Sequence, residues 1–89
     1  MTSTEALRDI RGYAAADRVV LSNHAWHRMA ERGARRVDVV HSLSNATSCQ
    51  AGEVKHGQQR WRATGPDVDG DEMRCVVVIE DGVLVVTMF

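Results

Sequence analysis

The sequence predicts an α+β domain. Two or three N-terminal helices over about residues 4 to 45 would pack on a C-terminal antiparallel sheet of about four strands over residues 47 to 89. Two observations carry this. Apolar residues recur every three or four positions in the first half, the period of a helix face, and give way in the second half to β-branched runs, "MRCVVVI" and "VLVVTMF". No linker, repeat or low-complexity tract separates the halves, so the 89 residues read as one domain with a single modest core.

Thr2 followed by Glu5 makes a capping box, and Ala6, Leu7, Ile10, Tyr13 and Ala14 continue at helical spacing, giving a first helix over about 4 to 16. The run "VVL" at 19 to 21 reads as a bridge to Ser22 or Asn23, either of which caps the next helix. That helix ends at Gly33, a residue suited to a left-handed cap. Val37, Val40 and Leu43 suggest a third helix over about 36 to 45. Residues 47 to 54 and 59 to 64 are the first candidate strands, the second with Trp61 and Ala63 on one face and Arg60 and Arg62 on the other. "TGPDVDG" is a loop, and residues 73 to 79 and 83 to 89 are central strands joined by Asp81-Gly82 in an expected type I′ turn.

Hydrophobic residues make up 44% and charged residues 26%, with one Pro, the profile of a packed rather than a disordered chain. No apolar run approaches the roughly 20 residues of a membrane span, and "MTSTEALRDI" lacks the basic start and apolar stretch of a secretory signal. A cytoplasmic protein with no membrane partner is therefore expected. Cys49 and Cys75 are too few for a disulfide framework and are expected reduced and buried.

The formal net charge is -1, which argues against a surface that embraces nucleic acid on all sides. The distribution is less even. Arg28, Arg32, Arg35 and Arg36 face only Glu31 within residues 22 to 36, and Lys55, Arg60 and Arg62 have no acid among residues 55 to 62. Four acids, Asp67, Asp69, Asp71 and Glu72, fall within six residues.

On a helical wheel, Ala25, Trp26, Met29 and Ala30 are expected in the core, with His24, Arg28 and Arg32 in an i, i+4, i+8 ridge beside them. A histidine beside two guanidiniums suits phosphate binding and proton transfer. The same residues equally suit a structural role, bonding sheet carbonyls or acids to hold the helix. Lys55, His56, Arg60, Arg62 and Arg74 form a second basic group, in which Arg60 and Arg62 share a strand face that Arg74 on a neighbour would extend. It reads either as a phosphate-binding strip or as a plain solvated face. Trp26 and Trp61 are expected to be buried, which leaves few aromatics for base stacking.

No cofactor or metal is expected. His24 and His27 have ligand spacing, but no third ligand cluster follows. The acidic loop fails as a calcium loop, because Glu72 stands where that motif needs Gly and Val78 where it needs Glu.

"LSNHAWHRMAERGARRVDVV", followed by "QRWRATGPDVDGDEMRCVVVIEDGVLVVTMF", resembles the bacterial domain of unknown function 4258 family. The resemblance covers about residues 20 to 89 and rests most on Ser22, His24, Ala25, Arg28, Met29, Arg32 and Gly33. That family is similar to the RelE, BrnT and MqsR-like toxin folds. The resemblance implies a RelE-like domain that binds or cleaves RNA without a metal, as an endoribonuclease held by a cognate antitoxin. His24, Arg28 and Arg32 would then be catalytic, His24 as proton donor or acceptor, while Arg60, Arg62, Arg74 and Lys55 would hold phosphate. The alternative is a non-enzymatic module of the same fold, an immunity or antitoxin-like protein that grips an effector. Asp67, Asp69, Asp71 and Glu72 would then be contact residues.

Overall fold

A computed structural model describes all 89 residues. Its elements in order are α1 (Ser3–Ala15), β1 (Val19–Leu21), α2 (Asn23–Arg32), α3 (Arg36–Ser44), β2 (Ser48–Lys55), β3 (Gln58–Pro66), β4 (Glu72–Ile79) and β5 (Val83–Met88). They form an α+β fold in which the helices precede the main body of the sheet. The sheet has five strands in the order β1-β5-β4-β3-β2, rather than about four. β2 to β5 make an antiparallel meander, whereas β1 pairs parallel to β5, with Val19 opposite Val83 and Leu21 opposite Val85. The sheet is thus mixed, and "VVL" is an edge strand and not a bridge. Three residues are too few to show a period, and their partner lies over sixty residues downstream.

Local chemistry sets the helix ends. The Thr2 hydroxyl accepts from the Glu5 N–H at 3.1 Å while the Thr2 N–H donates to the Glu5 carboxylate at 2.7 Å. The Ser22 hydroxyl accepts from the Ala25 N–H at 3.0 Å, and α2 ends at Gly33 with φ 66°. At α3 the Asp38 carboxylate accepts from the Arg35 N–H at 3.0 Å.

α1 and α3 cover one face of the sheet, where Ile10, Leu43 and Val39 meet Trp61, Val77 and Val85. Gly65 lets α3 come close: a Cβ there would lie 2.9 Å from the Ala46 Cα, and the Ser42 hydroxyl donates to the Gly65 carbonyl at 3.1 Å. α2 lies at the sheet edge against β5. It turns only Ala25 and Met29 inward, so Trp26, at 50% exposure, and Ala30 stand outside the core, contrary to the wheel. A helix at an edge has one narrow side to bury. Trp61 is buried as expected.

The two-residue turn also differs from expectation. His56 and Gly57, with φ 52° and 75°, join β2 to β3 in the manner of a type I′ turn. β4 and β5 are joined instead through residues 80 to 82, with Gly82 at φ 137°.

The β1–β5 side of the sheet is closed by polar side chains. β1 stops at Leu21, and α2 takes over: the Ser22 hydroxyl donates to the Val86 carbonyl at 2.7 Å and Arg28 Nε to the Met88 carbonyl at 3.1 Å. Arg36 donates to the Val19 carbonyl of β1 at 2.9 Å. Three carbonyls of this flank are thereby satisfied without another strand. On the opposite side, Ser48–Ala51 of β2 has no such cover.

Candidate functional site

The sheet face away from α1 and α3 carries the residues that alternate with the core. Arg60 lies opposite Val78, Arg62 opposite Val76 and Gln50, and Thr64 opposite Arg74 and Ser48. Pleating therefore brings Arg60 and Arg62 to one face about 6–7 Å apart along β3, with Arg74 diagonal to Arg62. Expected from the sequence as a strip, these three arginines do share one face.

Their partners differ. Arg74 donates to the Glu72 carboxylate at 3.2 Å. The guanidiniums of Arg60 and Arg62 have no carboxylate within ion-pair distance and no hydrogen-bond acceptor in the chain. They flank a shallow depression of about 400 Å³ floored by Val76, with Ala51, Gly52 and Glu53 along its β2 side. A second, of about 320 Å³, lies between Gln50, Arg62 and Arg74. Glu53 is the one acid at the first depression, 4.0 Å from Lys55. Two uncommitted guanidiniums, each with donors in a planar fork, form a receptor for oxyanions.

The α2 ridge is arranged differently. Arg28 is part-buried and committed twice, to the Met88 carbonyl and to Glu31 at 3.3 Å. His24 and Arg32 are exposed and make no hydrogen bond or ion pair within the chain. α2 packs on β5, and β4 stands between β5 and β3. Two strand spacings, about 10 Å, therefore separate the strand beside the ridge from the strand of Arg60 and Arg62. The two basic groups do not merge into one cluster. Lys55 lies farther off, beside the His56-Gly57 turn and opposite Gln58.

In the acidic loop, one Asp67 carboxylate oxygen accepts from the Asp69 and Asp71 N–H groups, each at 2.9 Å, which folds the loop on itself. Asp69, Asp71 and Glu72 are exposed. No three His, Cys, Asp or Glu side chains converge as metal ligands. Cys49 and Cys75 are buried free thiols, both opposite Ala63 from either side. Burial pushes the Cys75 thiol up to about 12 and raises that of Cys49.

Sequence reasoning located the arginines and left open that Arg28 bonds a sheet carbonyl and an acid, as it does, but did not say which ones. The carbonyl partners of Ser22 and Arg28 lie about sixty residues away, beyond any local signal. Comparison with protein-family models, curated proteins and solved structures finds no match to this chain. No helix is long and apolar enough to cross a membrane.

Proposed function

We propose that this chain is a toxin-like domain that binds RNA on the open face of its sheet, under the control of a cognate partner protein. The observation that carries this reading is the pair Arg60 and Arg62, side by side on an uncovered face with no carboxylate within ion-pair distance. Arg74 extends the strip, and Thr64 and Gln50 add neutral hydrogen-bonding groups beside it. Such a surface suits backbone phosphates, whose contacts supply affinity without reading bases. The resemblance of residues 20 to 89 to a family of toxin-like folds agrees with it. Cleavage would require His24 to act from α2, on RNA that reaches from the strip across β4 and β5.

The test is titration of fluorescently labelled single-stranded RNA at several salt concentrations. Wild-type affinity is expected to fall steeply with salt. Arg60→Glu and Arg62→Glu are each expected to weaken binding roughly tenfold or more and to lower the salt slope by about one. RNA binding that is absent, or indifferent to both substitutions, rejects the reading. Loss of cleavage in His24→Ala at unchanged RNA affinity would assign the histidine to chemistry.

A second reading is favoured by one observation. Val20 and Leu84 pair on the same open face and stay 64% and 38% exposed, as in a surface that meets another protein. An immunity or antitoxin-like module would use them, together with the free carboxylates of Asp69 and Asp71. Harmless expression, with protection against a neighbouring effector, would favour this reading over the first.

A further inference from the structure

β2 is the only long edge of the sheet left without cover. Every second N–H and C=O of Ser48–Ala51 faces away from β3 and finds no partner in the chain. The second half of the strand is protected. A bulge interrupts the register between Ala51 and Val54, Gln59 donates to the Gly52 carbonyl at 2.8 Å, and Lys55 closes the end. Ser48–Ala51 has neither charge, proline nor bulge, and natural sheets seldom leave such an edge unguarded unless a strand is to be added.

The side chains next to this edge say what kind of strand it would be. Gln50 lies directly across from Arg62, so a residue added opposite Gln50 would sit two strand spacings, about 10 Å, from the β3 backbone, within reach of an extended guanidinium. The depression flanked by Arg60 and Arg62 is lined on the β2 side by Ala51, Gly52 and Glu53. Glu53 on its rim is offset by Lys55 at 4.0 Å. We infer that Ser48–Ala51 accepts an extended acidic peptide segment as a further strand, its backbone completing the ladder and its carboxylates standing at alternate positions, the one opposite Gln50 engaging Arg62. A second copy of this chain fits less well, since its own β2 offers Ser48, Gln50 and Ala51 rather than carboxylates at those positions. The inference is independent of RNA binding.

The probe is a short fluorescein-labelled peptide alternating glutamate and valine, titrated against the whole chain by anisotropy, with hydrogen exchange followed by NMR. Saturable, salt-sensitive binding is expected, with amides of Ser48–Ala51 gaining protection. Arg62→Glu is expected to weaken binding roughly tenfold or more. N-methylation of the peptide at alternate residues, which removes its ladder donors and leaves its charges, is expected to abolish binding. A lysine-valine peptide is expected not to bind. An N-methylated peptide that binds equally well shows charge attraction without strand addition and overturns the inference. So does protection elsewhere than β2, or no binding by the glutamate peptide. Because N-methylation leaves the RNA face intact, its result separates this inference from failure of the RNA reading.

Discussion

Arg28 commits its guanidinium to the Met88 carbonyl and to Glu31, whereas Arg62 has no partner in the chain. The i, i+4, i+8 row that contains Arg28 was legible in the sequence, but its purpose was not, because Met88 joins α2 only after the sheet has formed. The two arginines should therefore part company in a urea titration. Arg28→Ala is expected to cost about 1–2 kcal/mol, having left an edge carbonyl bare, and Arg62→Ala less than about 0.5 kcal/mol. Ser22→Ala should also cost about 1–2 kcal/mol, since one hydroxyl serves both as helix cap and as donor to Val86. Asp38 and Glu5 carry a pH prediction. Backbone N–H donors, from Arg35 to Asp38 and from Thr2 to Glu5, hold both carboxyls below the usual carboxylate range. Their contribution is complete above the unfolded-state values near pH 4 and is lost as pH falls through the lower folded values. Thermal melts across acid pH should show stability falling in that window, with a shallower fall in Asp38→Asn.

At the level of elements, helix starts were the most legible features. The Thr2–Glu5 box and the Ser22 cap are written in adjacent residues and need no tertiary partner. β1 was illegible for the opposite reason, since a three-residue strand exists only because β5 lies beside it. Trp26 misled because a helix wheel gives the apolar side of α2 but not how much of it meets the sheet. The α3–β3 approach is the tightest junction between elements. Gly65→Ala would drive a methyl group into the Ser42 carbonyl and the Ala46 backbone, neither of which can swing aside. A loss of about 3 kcal/mol or more is expected, measurable as a large drop in denaturation midpoint. Gly12→Ala, with nothing within 4 Å of the added atom, is the control and should be neutral or stabilising.

For the molecule as a whole, the alternation of strand residues gave one covered and one open face, and Arg60, Arg62 and Arg74 fell on the open one. Arg74 is neutralised by Glu72 two residues away on the same strand face, a pairing missed because the strand was expected to begin only at Met73. The buried thiols test the packing of the covered face. Iodoacetamide should leave Cys75 unlabelled until the chain unfolds and should label Cys49 more slowly than a free thiol, because burial disfavours both thiolates. Rapid native labelling of Cys75 would contradict a closed core.

The side-chain cover on the β1–β5 flank has a further effect. Arg36, Ser22 and Arg28 occupy three carbonyls of the β1–β5 flank, so strand addition is favoured at the β2 flank. A chain with one adhesive flank terminates any polymer it joins. Strand pairing between copies at high concentration would therefore halt at a two-fold pair and not run on into a fibre, which is the outcome that two open flanks would permit.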